Sequence, residues 1–420
     1  MRSMLTGDRQ LIKELNVTAV ITAIREHQPI SRVGIAELTG LSKSTVTAIT
    51  QLLLDADLVR ETGSGNSRGG RRPTLLQLNP TARLVVGVKI APQQVTAALI
   101  SLTGQILNKE VEPLPDRVAE IVTTTDRLVR RVVNDAGFAF SPDRLLGVGV
   151  GLPGIVDPAT GSSISSHFLH WQDVPIKRLL EERLGLSVYP ENDANCFALG
   201  EYWYGAGRGA SSLLGVTVGI GIGAGLILDG RIYRGPLFGA GEIGHMIVQR
   251  DGPGCACGRH GCLEAVAGDA AIVQYARLYK GEPAAYPGGR EDVVRAAIAQ
   301  DPHARHSLAE AGEWIGLGLA NLVNTVSTDF IVVGGEAATQ AGELLLDPIR
   351  SSLQRHVFPS LADRVRIVPA ALGDEVWLIG ATVLALQRFF RAPLAAAGTR
   401  ARTRAQGGET GWMEQLGRVR

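Results

Sequence analysis

The chain has 420 residues, 45% hydrophobic and 20% charged, with 42 Lys+Arg against 41 Asp+Glu. That composition is globular and the length suits two or three domains. A net charge of +1 excludes a polybasic coat, so any nucleic-acid contact must be local.

No run of about 18 apolar residues suggests a membrane span, and MRSMLTGDRQ has no signal-like apolar stretch. The expectation is a cytoplasmic protein without a membrane partner. Its four cysteines should stay reduced there, and read as metal ligands or catalysts before disulfides.

Residues 1–80 read as a DNA-binding domain. Val17, Val20, Ile21 and Ile24 recur at helical spacing. In SRVGIAELTGLSKSTVTAITQLLLDADLV, Ser31 caps a helix expected to bury Val33, Ala36 and Leu38, and Gly40 ends it. Ser42 caps a second helix with Val46, Ile49, Leu52 and Leu53 inside. Two strands, 58–62 and 74–78, flank the loop GSGNSRGGRRP. Together these make a winged helix-turn-helix. Its second helix would offer Lys43, Ser44, Thr45 and Thr47 to the major groove, and its wing Arg68, Arg71 and Arg72 to phosphates or a minor groove. Ten Lys/Arg against seven Asp/Glu in this zone agree weakly.

Residues 81–390 alternate apolar strands with helices, an α/β pattern with glycines at strand ends, where ligands approach backbone. A hairpin opens the zone at LVVGVKIAPQQVTAALISLTGQIL. A strand enters a Gly/Pro loop at 145–157, 213–233 reads as two strands about a glycine turn, and 329–336 as a buried strand. Helices are expected near 116–136, 308–326 and 338–355. The Ala/Gly/Arg-rich residues 391–420 read as a disordered tail.

The stretch GHMIVQRDGPGCACGRHGCLEAVAG holds His245, Cys255, Cys257 and Cys262. One nitrogen and three sulfurs are an accepted set for a closed structural Zn2+ site, and thiolates favour zinc over magnesium or calcium. Four glycines in the loop let backbone wrap a small ion. Cys196 stands apart in a helical run and reads as a core thiol.

The ordered motifs GGRRPTLLQLNP, GLPGIVD, PENDANCFALGE, GIGIGAGLILDG, GEIGH with CACGRHGCLE, and IVVGGE resemble the ROK family of repressors and sugar kinases, over about residues 12–390. Most similar are its winged-helix, sugar-responsive repressors. The resemblance implies an actin-like, hexokinase-like core of two α/β lobes, 81–390, with a zinc loop at 245–262 and sugar in the cleft. It maps sugar contacts onto Gly154, Asn192, Asp193, Glu242, His245 and Glu264, with His245 serving zinc and sugar. In the family's kinases the aspartate matching Asp193 is the general base. Phe168 stands where relatives often have an asparagine that bears on sugar choice.

The kinases' phosphate machinery is altered. Lys89 replaces an aspartate, Pro92 removes an N–H donor, Ile220 stands for a threonine, and Val376 and Trp377 for small residues near adenine. The resemblance therefore implies a regulator that binds an operator and a sugar effector as a homodimer or homotetramer, most simply a repressor. The alternative is an active ATP-dependent sugar kinase with an appended DNA reader.

Overall fold

The structure is a computed structural model, and it describes residues 9–64 and 72–390. Helix α1 (Arg9–His27) turns Val17, Val20, Ile21 and Ile24 inward, as its periodicity predicts. A short strand, β1 (Ile30–Ser31), leads into α2 (Arg32–Thr39). Ser31 Oγ accepts the Gly34 N–H at 3.1 Å, and Gly40 ends the helix at φ 70. Helix α3 (Lys43–Asp55) starts on Ser42, whose Oγ accepts the Thr45 N–H at 3.1 Å. Strands β2 (Val59–Ser64) and β3 (Thr74–Leu78) pair antiparallel, and β1 joins the other side of β3. One expectation fails: α2 buries Ile35 and half-buries Ala36, while Val33 and Leu38 are 46% and 54% exposed. Two turns of helix are too few for periodicity to fix the inward face.

The next sheet is built from β4 (Leu84–Ile90), β5 (Gln94–Ser101), β6 (Ile106–Pro113), β7 (Leu145–Leu152) and a later strand. Helix α4 (Val118–Asn134) links β6 to β7. A small three-stranded sheet follows: β8 (Ile155–Val156), β9 (Ser163–Ser166) and β10 (Trp171–Val174). Helix α5 (Ile176–Leu184) then feeds β11 (Val188–Asn192), which completes the order β6-β5-β4-β7-β11. Helix α6 (Asp193–Tyr204) leaves directly from β11.

The second sheet repeats the plan. It contains β12 (Leu213–Val218), β13 (Ile222–Leu228) and β14 (Arg231–Tyr233). The third strand was not expected; Asp229 and Gly230, at φ 50 and 71, make the tight turn that pairs Leu228 with Arg231. After a loop come α7 (Leu263–Ala267), α8 (Asp269–Lys280), α9 (Arg290–Ile298) and α10 (Pro302–Val326). Strand β15 (Phe330–Gly334) pairs parallel with β12. The single helix expected over 338–355 is two, α11 (Glu336–Ala341) and α12 (Glu343–His356), parted at Gly342 with φ 55. Short α13 (Pro359–Ala362) precedes β16 (Arg366–Pro369), giving β14-β13-β12-β15-β16. Both sheets thus run three antiparallel strands into two parallel ones, the duplicated α/β topology of the actin-like core expected from the resemblance.

The final helix, α14 (Val376–Phe390), joins the parts. It lies so close to the first sheet that a Cβ on Gly87 would be 2.2 Å from Leu378 O, and one on Gly149 2.0 Å from Ala381 O. Its far end, Leu386, Phe389 and Phe390, enters the same apolar cluster as Val17, Val20, Ile21 and Ile24 of α1. Arg25 of α1 stacks 3.9 Å over the Trp203 ring of α6. The N-terminal domain is therefore seated on two helices of the core, α6 and α14.

Candidate functional site

The metal-ligand set assembles as expected. His245, Cys255, Cys257 and Cys262 bring their donor atoms within 4.8 Å of one another. His245 Nδ1 is 3.7 Å from Cys255 Sγ, and Cys257 Sγ is 3.6 Å from Cys262 Sγ. Ligands about 2.0–2.3 Å from a tetrahedral zinc stand roughly 3.5–3.8 Å apart, so the donors fit such an ion. Gly261, at φ 71, is required: a Cβ there would lie 1.6 Å from Gln249 O. Arg259 hydrogen-bonded to Cys257 lowers that thiol to about 6, while burial pushes Cys262 up to about 12.

Asn192 and Asp193 occupy the junction of β11 and α6. Asn192, not Asp193, is the cap: its Oδ1 accepts the Asn195 N–H at 3.1 Å. Its Nδ2 donates to Gly154 O at 3.0 Å, tying the Pro-Gly loop to the helix start. Gly154 has φ 99, and a Cβ would stand 2.2 Å from Ser165 O, so only glycine fits. Burial raises the Asp193 carboxyl, with Lys89 opposing it.

Glu242 keeps a face open to the cleft, yet the surrounding walls raise its carboxyl; His245 opposes that shift, and Asp193 and Glu264 add to it. Asp193, His245 and Glu264 therefore all lie near enough to act on the Glu242 carboxyl. Glu264 Oε2 accepts the Ile222 N–H at 3.3 Å, and its Oε1 is 3.9 Å from Cys255 Sγ, so it links the metal loop to the glycine turn.

Sequence reasoning missed several groups here. Glu191, 3% exposed in its side chain, takes both Nε and a terminal nitrogen of Arg234 on Oε2. Its Oε1 accepts from the Asn192 N–H and Asn195 Nδ2, both at 2.9 Å. Glu191 lies inside the PENDANCFALGE motif, but its partner is 43 residues away, so only the fold shows the clamp. His167, in the β9–β10 turn, sets Nε2 2.5 Å from Ala256 O, between two metal-loop cysteines. The Phe168 ring, 41% exposed, faces Gly221.

In the two turns that match the kinases' phosphate loops, three backbone donors have partners within the chain. The Ala91 N–H donates to Gln94 O and the Gln94 N–H to Ala91 O, with Pro92 between them. The Gly219 N–H donates to Gly221 O. A Glu336 carboxylate oxygen stands 2.6 Å from where a Gly219 Cβ would lie. Lys89 Nζ is seated 3.6 Å over the Trp377 ring.

In the N-terminal reader, Lys43, Ser44 and Thr47 are exposed on the first turns of α3, and Thr45 is half-buried. Ser42 Oγ bonds both Ser44 Oγ (2.9 Å) and Thr45 Oγ1 (2.8 Å), while Thr47 Oγ1 donates to Lys43 O at 2.8 Å. Arg72 is exposed; Arg68 and Arg71 lie outside the described residues, as does the tail from 391. Among the described residues no helix is long and apolar enough to cross a membrane.

A winged-helix reader on a duplicated two-lobed α/β core, with a His/Cys cluster beside the cleft, defines the class. Residues 85–388 match the ROK family, and the chain belongs to it. It is 30% identical to the xylose repressor of Caldicellulosiruptor bescii over 92% of this chain and 99% of that one. A crystal structure of a ROK family transcriptional regulator, a homolog of the E. coli MLC protein, superposes with a TM-score of 0.75 at 26% identity, covering 90% of this chain and 96% of the other. A ROK glucokinase from Streptomyces griseus, solved with glucose and AMPPNP, gives 0.64 at 32% identity, covering 72% of this chain and 99% of its own.

Proposed function

We propose that the chain is a sugar-responsive, DNA-binding transcriptional regulator, a repressor of carbohydrate-utilisation genes that works in the cytoplasm. The observation that carries this is mechanical. α6 begins at Asp193 and carries Trp203 against Arg25 of the DNA reader, and α14 runs from the cleft into the core of the same reader. A sugar held by Asn192, Asp193, Glu242, His245 and Glu264, with Gly154 closing the loop, changes how the lobes sit. The reader rides on helices from both sides of the cleft. Sugar acts only through different affinity for the two arrangements.

His245, Cys255, Cys257 and Cys262 hold a structural Zn2+, which would pin the loop carrying Glu242 and Glu264. Lys43, Ser44, Thr45 and Thr47 face the major groove, and Arg68, Arg71 and Arg72 the backbone or minor groove. A homodimer or homotetramer supplies the paired readers that two half-sites need. The engaged N–H groups at 91, 94 and 219, with Glu336 against Gly219, weigh against phosphate binding, so we read the chain as a regulator whose kinase activity is at most residual.

The test is a gel shift on the DNA upstream of neighbouring sugar genes, with and without candidate sugars. A specific band that sugar removes supports the reading; no specific band at modest salt sinks it. One observation favours an ATP-dependent sugar kinase instead: the half-buried Asp193 has a raised carboxyl, suited to a general base. ADP release over a panel of hexoses, pentoses and N-acetylated sugars, abolished by Asp193→Asn, would establish that alternative.

A further inference from the structure

Outward of the sugar residues lies a cavity of about 1040 Å³, bounded by Gln93 of the first lobe and by Ile220, Asp269, Gln274 and Glu336 of the second. Ligand sites commonly measure about 300–1,000 Å³, so this is room for a whole ligand. Its inner wall is the glycine turn. Ile220 is 59% exposed toward the cavity. The next residue, Gly221, approaches the sugar site: a Cβ there would be 2.8 Å from Glu264 Oε2. Glu336 adjoins both spaces. Burial dominates the raised carboxyls of Asp193 and Asp269, and the Glu336 charge raises each further.

The wall chemistry selects the occupant. The cavity's two arginines are committed to protein: Arg290 to Asp269 and Gln340, Arg277 to the carbonyls of Ala285 and Tyr286. Asp269 Oδ1 is buried without a hydrogen-bond partner among the described residues. Carboxylates accept and do not donate, and side-chain amides do both. Ile220, Val273 and Leu278 add apolar surface. Such a wall repels phosphate and suits an uncharged, hydroxyl-rich ring with one apolar face.

We infer that this chamber is a second carbohydrate subsite, and that the effector is a disaccharide or longer glycoside. Its first unit lies among Asn192, Asp193, Glu242 and Glu264, and its next against Asp269, Gln274, Glu336 and Ile220. The inference rests on the sugar-regulator reading above and specifies its ligand class. The bond between the two units passes the edge formed by Asp193 and Glu336.

Calorimetry on the full, zinc-loaded chain tests this with matched pairs: glucose with cellobiose and isomaltose, xylose with xylobiose, N-acetylglucosamine with chitobiose, and MgATP alongside. In at least one pair the disaccharide binds ten-fold or more tightly than its monosaccharide. Gln274→Trp, at an exposed position of α8, fills the chamber and cuts that advantage to two-fold or less, leaving the monosaccharide unchanged. Leu278→Trp, at a position 70% exposed, does the same and guards against a folding artefact. If monosaccharides bind and no disaccharide binds more tightly, or both variants leave the advantage intact, the inference is overturned and the sugar regulator stands. Micromolar MgATP binding also overturns it. Binding of no sugar of either size overturns both readings.

Discussion

Lys89 Nζ lies 3.6 Å over the ring of Trp377. The two residues come from opposite ends of the core sequence, β4 and the start of α14, and their cation–π contact ties the first sheet to the final helix. Trp377 is 5% exposed. Trp377→Ala should cost about 3–5 kcal/mol of stability as a core truncation. Lys89→Met should cost about 0.5–2 kcal/mol, the range for a cation–π pair. Urea unfolding reads both, and a Lys89→Met protein as stable as the parent would remove the contact from the account. Lys89→Asp should not release ADP with any sugar, because Pro92 and Glu336 remain.

Asp193→Asn should separate stability from function. Burial holds the folded carboxyl above its ordinary 3.8. An acid whose pKa is raised on folding favours the folded state when protonated, so stability falls as pH climbs from 3.8 through the folded value. The asparagine variant escapes that loss. Its melting temperature should match the parent's near pH 3.5 and exceed it above that, by a margin that grows up to the folded pKa and is constant beyond it. Sugar affinity should drop about ten- to a hundred-fold, the weight of one charged hydrogen bond. Melting curves that run parallel across that range would show that Asp193 is not strained by burial.

The metal prediction is quantitative in stoichiometry. Atomic absorption should find one zinc per chain. Cys257→Ser should lose it, lower the melting temperature and abolish the sugar response, while the winged helix still binds operator. A chelator at neutral pH should reproduce the effect. Loss of operator binding alone, with sugar affinity intact, would contradict the placement of this loop beside Glu242 and Glu264.

Arg25→Ala tests the joint between reader and core. The Arg25–Trp203 stack lies where α1 meets α6, and Arg208 also reaches Glu26 O at 3.2 Å. Losing the stack should change the ratio of operator Kd with and without sugar by about two- to thirty-fold, corresponding to about 0.5–2 kcal/mol. Sugar affinity in the absence of DNA should hold. An unchanged ratio would move the coupling to α14 alone.

Arg72→Ala, at an exposed wing position, should weaken binding to all DNA sequences alike and reduce the slope of log K against log salt by about 0.9, one phosphate's worth. A loss confined to one operator base, with the slope intact, would place Arg72 on a base edge instead.

Legibility differs between elements for physical reasons. Capping and turn chemistry are local, so Ser31, Gly40 and Ser42 mark the helix-turn-helix from the amino-acid order alone. Metal ligation by soft donors is also local when the donors cluster, and Cys255, Cys257 and Cys262 with His245 are legible on spacing and ligand type. Periodicity over many turns locates the buried face of α1 but mistakes that of the two-turn α2.

The sequence by itself determined the helix-turn-helix, most of the order of core elements and the His/Cys cluster, because each depends on neighbours a few positions apart or on an ordered run of motifs. Only the tertiary structure decided what those residues meet. The Glu191–Arg234 clamp, the Lys89–Trp377 contact, Glu336 beside Asp193 and Asp269, and the docking of α1 on α6 and α14 join segments far apart in sequence. Such pairings arise from how two sheets and their helices pack, and hydrophobic pattern records which face is buried, not against what.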